Sequence, residues 1–154
     1  MQNICKKLIP LTEIAKIKSD IELSISLVSD LQIKKINHEF RNKNQATNVL
    51  SFPSLDENLV RKLGLVKVTK GLPHVFLGDI VISFDSLKKE SLAQKKNFDN
   101  HLTHLILHSL LHLIGFDHED DKMAKKMENL EIKILKKLNI NNPYILDGRL
   151  AKQV

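Results

Sequence analysis

The sequence is poor in the residues that stabilise small secreted domains and in those that stack on nucleobases. Among its 154 residues it has one cysteine, one tyrosine, no tryptophan and 5% aromatic residues in all. Because Cys5 has no second cysteine to pair with, an internal disulfide and a cysteine-rich zinc site are both excluded, and this fits a reducing cytoplasm. Since Tyr144 is the one tyrosine, no aromatic platform for stacking bases stands out either.

Long apolar runs are also missing. No stretch approaches the ~20 residues that span a bilayer, and Lys and Glu break up the short apolar stretches of residues 1–18, so the start lacks the core of a secretory signal. The length, with 42% hydrophobic and 27% charged residues, predicts one soluble domain over 1–154. We expect a cytoplasmic, monomeric protein with no membrane partner.

Negative charge is the scarcer sign. The chain has 24 Lys and Arg against 18 Asp and Glu, a net charge of +6, and residues 1–71 hold 12 basic and 7 acidic residues. A basic half favours a polyanion such as nucleic acid, because neutralised phosphates release counterions. A lysine-rich composition on a solvated surface explains the same numbers, so charge alone does not decide the function.

The periodicity of apolar residues predicts a mixture of strands and helices. Strands are predicted over 21–28, 47–53 and 75–84, and helices over 30–40, 85–97, 100–114 and 120–138. In the first strand, Ile21, Leu23, Ile25 and Leu27 alternate with polar residues and are predicted to face the core. Asp30, Asp85 and Asp99 are the expected caps of the first three helices, and residues 54–75 are predicted to form a long loop. The elements do not alternate as βαβ units, so we predict an α+β fold with a small mixed sheet packed against helices.

Two of these helices have clear amphipathic patterns. In the helix over 30–40 the apolar side is predicted to contain Ile33, Ile36 and Phe40. The last helix has an apolar stripe with Lys and Glu on the opposite side, and its members are Met123, Met127, Leu130, Ile134 and Leu138.

Five of the seven histidines fall between residues 101 and 118, and four of them are spaced three, four and four residues apart. These steps place His101, His104, His108 and His112 in one stripe along a helix whose other residues are mostly Leu and Ile. Imidazoles in an apolar wall are costly without partners, and a metal ion satisfies several of them at once.

The spacing of His108, His112, Gly115 and His118 equals that of the long zinc motif HExxHxxGxxH. His108 and His112 would present two nitrogens from neighbouring turns of a helix, Gly115 would end the helix, and His118 would return as the third ligand. Three histidines leave one coordination position for water, as in catalytic zinc sites. We therefore predict one zinc ion per chain, against the alternative of a buried helix with coincidental histidines.

One position departs from the protease form of this motif. The general-base glutamate of HExxH would stand at position 109, and this chain has Ser109, whose hydroxyl cannot take a proton at neutral pH as a carboxylate can. A peptidase is therefore disfavoured.

The remaining polar residues of this segment have simpler interpretations. We expect His104 either to support a metal ligand through its contacts or to be a hydrogen-bonded core residue, and His101 to lie near the surface. Asp117 would either orient an imidazole or cap the turn, and residues 119–121 resemble the acidic first turn of the last helix.

Two motifs identify a family resemblance. HSLLHLIGFDH (108–118) resembles the HGxLHLxGxDH signature of the YbeY family of bacterial rRNA maturation endoribonucleases, and FRNKNQATNVLSFP (40–53) resembles that family's FRxKxxxTNVLSFP segment. LGDIVIS (77–83) and NPYI (142–145) are similar to its GDI strand and C-terminal tail. The likeness covers most of the chain from Ile21 onward; Ser109 replaces the usual glycine, and the segment before Ile21 is shorter than usual, which affects the expected edge of the sheet.

The resemblance implies a zinc-dependent endoribonuclease, specific for single strands, that matures the 3′ end of 16S rRNA. It also implies a role in ribosome biogenesis and in quality control of 70S ribosomes, with a ribosome or ribosomal subunit as partner. By motif position, His108, His112 and His118 become the zinc ligands, and Arg41 and His108 become the catalytic residues.

Arg41 also suits this chemistry physically, because its planar fork can hold two phosphate oxygens. Lys35 and Lys43 would add a non-specific phosphate track. Asp79 and Asp117 are both candidates for a general base, and either water or the ribose 2′-OH is the expected attacking group. Two other functions stay open: an RNA-binding ribosome assembly factor with a structural zinc, and a zinc peptidase with a carboxylate supplied from elsewhere.

Overall fold

A computed structural model describes residues 1–146 and 149–150 of the chain. The helices are α1 (Gln2–Leu8), α2 (Asp30–Arg41), α3 (Glu57–Leu63), α4 (Leu65–Thr69), α5 (Phe84–Ala93), α6 (Phe98–Leu113) and α7 (Asp121–Lys137). The strands are β1 (Asp20–Val28), β2 (Val49–Pro53), β3 (His74–Ser83), β4 (Ile145–Leu146) and β5 (Arg149–Leu150). Two short 3-10 helices, Ile9–Leu11 and Glu13–Lys16, join α1 to β1.

The predicted α+β class is confirmed, and β3 is the central strand of a three-stranded sheet in the order β1-β3-β2. β1 runs parallel to β3, and β2 runs antiparallel to it. An added Cβ at Gly78 would lie 2.2 Å from the carbonyl oxygen of Phe52, so only glycine lets β2 and β3 approach this closely there. The three predicted strands are therefore present, joined as one mixed sheet.

The two faces of this sheet are covered by different helices. Ile80 and Ile82 of β3 belong to the main core, to which α6 contributes seven buried apolar residues. On the other face, Val81 packs with Leu50 of β2 and Ile33 of α2. A helix on each face buries the central strand on both sides, which explains its nearly continuous run of apolar residues.

Before β1, the chain packs against the main core, where Leu8 and Ile14 are completely buried. This segment adds no strand to the sheet, so β1 is an edge strand among the described residues. Within the same residues, no helix is long and apolar enough to cross a membrane.

The loop predicted over 54–75 is wrong. This segment forms α3 and α4, which bury Val60 and Leu65, before β3 begins. Asp56 caps α3 by accepting the Leu59 N–H, and Gly64, with a φ of +87°, separates the two helices. The glycines and charges of the segment indicated a loop, but a few buried apolar contacts are enough to stabilise helices this short.

Three predicted helix caps are also wrong by one or two positions. Ser29, Ser83 and Asn97 cap α2, α5 and α6, and the aspartates that follow lie in the first helical turn. Both positions favour aspartate, because a carboxylate near a helix N-terminus interacts with the helix dipole as well as with free N–H groups. Of residues 119–121, expected to form the acidic first turn of the last helix, Asp121 lies in the first turn of α7 and Asp120 is its cap.

Two apolar residues predicted to face the core are exposed. Phe40 at the end of α2 is 66% exposed and makes an edge contact with Phe52, and Leu27 of β1 is 43% exposed. The register of β1 against β3 shifts between Glu22 and Ser24, and this breaks the simple alternation expected along the strand.

Candidate metal centre

The predicted histidine cluster forms. One ring nitrogen each from His108, His112 and His118 lies within 4.8 Å of the other two, and the Nε2 atoms of His108 and His112 are 3.1 Å apart. His108 is buried, His112 is half-buried and His118 is exposed. The three rings therefore surround one point at the edge of the core with access from solvent.

The turn that ends α6 places His118 beside the last turn of that helix. The N–H groups of Gly115 and Phe116 donate to the carbonyls of His112 and Leu111, which is the hydrogen-bond pattern of a Schellman motif. Gly115 has a φ of +100°, as expected of the glycine that ends the helix. The chain turns sharply there, so that a residue three positions later can face the last turn of α6.

Arg61 of α3 holds this turn from outside. Its Nε donates to the carbonyl of Gly115 at 2.9 Å, and its terminal nitrogen lies 3.1 Å from a Glu57 oxygen and 3.5 Å from Asp117 Oδ2. Asp117 also accepts the backbone N–H of His118 at 2.7 Å. Asp117 thus caps the turn, and sequence reasoning missed Arg61 because the segment 54–75 was expected to be a loop.

The donor set fits a divalent metal ion. Two imidazole nitrogens about 2.0–2.1 Å from one zinc ion at a tetrahedral angle are about 3.3–3.4 Å apart, close to the separation of His108 Nε2 and His112 Nε2. Burial is the main cause that lowers the pKa of His112 to about 4, and repulsion by His108 and His118 adds to it whenever those rings are protonated, so His112 offers a neutral imidazole, the form that binds metals. Among the described residues the cluster contains three donor side chains, which is the number found in catalytic zinc sites.

The cluster lines a cleft of about 380 Å³ that also contains Arg41 and Lys43. These two basic residues come from the end of α2 and the segment after it, while the wall beyond the cluster includes Glu57, Asp117 and Glu119. Lys35 does not line the cleft, so the predicted phosphate track extends only to Lys43. Of the two candidate general bases, Asp117 lines the cleft and Asp79 does not.

A buried carboxylate lies behind the cluster. Glu131 of α7 is completely buried, and its Oε1 is 2.6 Å from His108 Nδ1. Its Oε2 is 3.3 Å from His104 Nε2 and accepts a hydrogen bond from the hydroxyl of Tyr144. Burial raises the pKa of Glu131, but the hydrogen bonds from His104 and His108 outweigh it and hold the pKa at about 2.

The buried position of Glu131 contradicts the polar side predicted for α7, which assigned its glutamates to solvent. Glu131 stands four residues after Met127 and three before Ile134, on the same face as the apolar stripe. That spacing was the available signal, because a glutamate within an apolar face requires buried partners. His104, predicted to be a hydrogen-bonded core residue, is confirmed as its partner.

His101 was predicted near the surface, and this is wrong, because it is 3% exposed. Its Nε2 lies 2.7 Å from an oxygen of Glu90, which also accepts the side-chain N–H groups of Asn48. A carboxylate partner from α5 lets this imidazole be buried near the start of α6. His101 is not part of the metal cluster.

Ser109 is completely buried beside His108. A buried hydroxyl cannot reach a substrate in the cleft, and this agrees with the prediction that Ser109 does not replace the missing glutamate of a peptidase. A small residue fits this crowded position, as expected where the related motif has glycine.

Comparisons with known proteins agree on one family. The sequence model of the family described as Endoribonuclease YbeY matches residues 1–139. Proteins named Endoribonuclease YbeY from Ruthia magnifica and Francisella philomiragia are 45% and 44% identical to this chain, each over 82% of it and over 79% and 75% of their own lengths. The protein of the same name from Agrobacterium fabrum is 42% identical over 82% of this chain and 70% of its own length.

The fold is similar to a solved structure, the solution structure of TM1509 from Thermotoga maritima. The two match with a TM-score of 0.55 and 24% sequence identity over 99% of this chain and 91% of that one. This likeness supports the α+β fold.

Proposed function

The chain belongs to the YbeY family of endoribonucleases, and from this premise we propose that it is a zinc-dependent enzyme that cleaves single-stranded RNA. The broader assignment, a hydrolase acting on RNA phosphodiester bonds, follows from the family. Our proposal adds the preference for single strands, the identity of the metal and the roles of individual residues.

The observation that carries it is the composition of one cleft. Three imidazoles that could hold a metal ion share this cleft with Arg41 and Lys43. A phosphodiester carries a negative charge that increases at phosphorus during cleavage, and cationic groups together with a metal ion are the usual means of stabilising it. Peptide cleavage by the HExxH mechanism is disfavoured, because the general-base glutamate of that motif is replaced here by Ser109.

In this proposal His108, His112 and His118 hold the zinc ion, and Arg41 contacts the scissile phosphate. A bound zinc ion supplies Lewis-acid chemistry, which polarises a phosphoryl oxygen and lowers the pKa of water. The guanidinium of Arg41 offers a planar pair of donors to the phosphate oxygens, and Lys43 adds a point charge beside it. We include His108 among the catalytic residues because it is the most buried of the three proposed ligands and so determines how deep in the cleft the ion would lie.

Three imidazole ligands and an open cleft favour an enzyme over an assembly factor with a structural zinc, since structural zinc sites have four protein ligands. The expected biological role is 3′-end maturation of 16S rRNA, ribosome biogenesis and quality control of 70S ribosomes. The proposed partners are single-stranded rRNA and a ribosome or ribosomal subunit, and the proposed location of the monomer is the cytoplasm.

The test is a cleavage assay on protein stripped of metal and then loaded with one equivalent of zinc. We expect the loaded chain to cut a single-stranded RNA and to spare the same sequence in a duplex. The His108→Ala variant should lose this activity, whereas His101→Ala, which changes another buried imidazole of α6, should retain it once folding is checked by circular dichroism. Equal cleavage by His108→Ala and the unmodified chain, purified in parallel, would indicate a contaminating ribonuclease and remove the zinc mechanism.

Analysis of the product ends distinguishes the two attacking groups. Attack by water leaves a linear phosphate at one new end, whereas attack by the 2′-OH leaves a 2′,3′-cyclic phosphate. A cyclic product would therefore contradict direct hydrolysis while preserving the assignment as an endoribonuclease.

A further inference from the structure

The buried carboxylate behind the metal cluster has a role that its contacts define. We propose that Glu131 is a positioning residue of the metal centre: it accepts the Nδ1–H of His108 and so fixes the ring tautomer whose Nε2 faces His112 and His118. This inference rests on the proposed function only in requiring that the three histidines bind a metal ion.

The two ring nitrogens of His108 have different neighbours. Its Nδ1 is 2.6 Å from Glu131 Oε1, and its Nε2 is 3.1 Å from His112 Nε2. A neutral imidazole has one N–H and one lone pair, and an ionised carboxylate can only accept. The proton must therefore lie on Nδ1, which leaves the lone pair of Nε2 directed into the cluster.

The carboxylate of Glu131 is surrounded by hydrogen-bond donors. Three groups approach Glu131: His108 Nδ1 on Oε1, and His104 Nε2 and the Tyr144 hydroxyl on Oε2. Because the residue is completely buried, no solvent compensates for a missing partner. A carboxylate matches three donors, whereas the amide of a glutamine has one accepting oxygen and would direct N–H groups toward a donor.

The segment after α7 holds the carboxylate of Glu131 in place. Tyr144 is 5% exposed and belongs to the segment after α7. The carbonyl of the preceding residue, Pro143, accepts a hydrogen bond of 2.7 Å from Lys96 Nζ. The segment after α7 is thus fastened to the start of α6, and through Tyr144 it fixes the oxygen of Glu131 that His108 does not use.

A second carboxylate–imidazole pair, between α5 and α6, does not include a residue of the metal cluster. Glu90 lies 2.7 Å from His101 Nε2, so it forms a carboxylate–imidazole contact of similar length with a buried histidine of α6. His101 is outside the metal cluster. A general effect of losing a carboxylate that contacts a buried imidazole should therefore appear in both pairs, but an effect on metal binding should appear only at Glu131.

The experiment compares the zinc affinities of Glu131→Gln and Glu90→Gln with that of the unmodified chain, by competition with a chromophoric chelator. We expect Glu131→Gln to bind zinc about 10–100-fold more weakly, the range typical of groups that support a metal ligand. Glu90→Gln should remain within about threefold of the unmodified chain, because its partner does not contact the ion. Equal affinity of Glu131→Gln and the unmodified chain, or an equal loss in both variants, would overturn the proposal.

A second measurement needs no variant. In the metal-free protein, the 15N shifts of the His108 ring should show the proton on Nδ1, and a proton on Nε2 would overturn the proposal even if Glu131→Gln fails to fold. Where Glu131→Gln does fold, its His108 ring should show a mixture of tautomers. Neither readout uses RNA, so a chain that binds zinc as described but cleaves nothing would contradict the proposed function alone.

Discussion

Arg41 and Lys43 are neighbours on one wall of the cleft but differ in what they can offer a phosphate. The guanidinium donates two parallel hydrogen bonds in a fixed plane, whereas the ammonium is a mobile point charge. Removing the side chain of Arg41 should therefore affect cleavage differently from removing that of Lys43.

For Arg41→Ala we predict a fall in kcat of about 10²–10³, the usual cost of losing one preorganised donor to a developing negative charge. Single-turnover cleavage of a short RNA at saturating enzyme measures this. Lys43→Ala is the matched control and should lose less than about tenfold, mainly in KM, because it neutralises phosphate without orienting it. If Arg41→Ala cleaves as fast as the unmodified chain, Arg41 does not contact the scissile phosphate.

Single residues of the site could be predicted from the sequence where their spacing along one helix reports their position. His108 and His112 are four residues apart, and the glycine between His112 and His118 indicates where the chain turns. Glu131 and Arg61 could not be placed in the same way, because their partners are distant in the chain and only packing brings them together.

At the scale of secondary-structure elements, α3 is linked to the turn after α6. Arg61 reaches across from α3 to the carbonyl of Gly115 and to Asp117, which in turn accepts the N–H of His118. Without Arg61, the turn that carries His118 would lose a side chain that fixes its position.

We predict that Arg61→Ala binds zinc about tenfold more weakly, which is at the low end of losses for groups that support a metal ligand. The reason is that His118 would be less ordered before zinc binds, so that binding would cost more conformational entropy. A faster zinc off-rate in a chelator-chase experiment should accompany the weaker binding. Lys62→Ala, one residue along α3 and exposed, is the control and should bind as the unmodified chain does. Unchanged off-rates in Arg61→Ala would show that the turn holds its shape alone.

The N-termini of α2 and α5 are also joined by one carboxylate. Asp30 accepts hydrogen bonds from the hydroxyls of Ser83 and Ser86 and from Lys89. The bonds from Ser83 and Ser86 outweigh desolvation and lower the pKa of Asp30 from 3.8 to about 2.

A depressed pKa stabilises the fold at a pH above the value in the unfolded chain, and the stabilisation is lost as the pH falls through the folded value. We therefore predict that Asp30→Asn unfolds at a lower urea concentration than the unmodified chain at pH 7. The difference should shrink between pH 4 and about pH 2, where the native carboxyl becomes protonated. A difference in urea midpoint that stays constant down to pH 2 would contradict the hydrogen-bonded role of the carboxylate.

At the level of elements, the period of the apolar residues predicted every long helix and the central strand. It failed over 54–75, where α3 and α4, with seven and five residues, are too short to repeat the helical period several times and are separated by a glycine. The caps were displaced because serine, asparagine and aspartate are all favoured within one turn of a helix start, and the sequence alone does not order them.

The whole molecule explains why the cleft has this composition. The sheet places α2 on one face and α6 on the other, and β2, at the edge of the sheet, runs alongside α6. The residues that follow α2 and lead into β2 therefore lie beside the end of α6. The strand order β1-β3-β2 follows from packing between distant segments, so the sequence pattern did not indicate it, and the meeting of Arg41 with the histidines rested on the resemblance alone.

The central claim is that three imidazoles bind one ion that remains open on the side of the cleft. X-ray absorption at the zinc edge, measured on protein loaded with one equivalent, tests it most directly. We predict the scattering pattern of three imidazoles about 2.0–2.1 Å from zinc, with one further light ligand. A spectrum with a fourth protein ligand, or one unchanged in His118→Ala, would contradict the account.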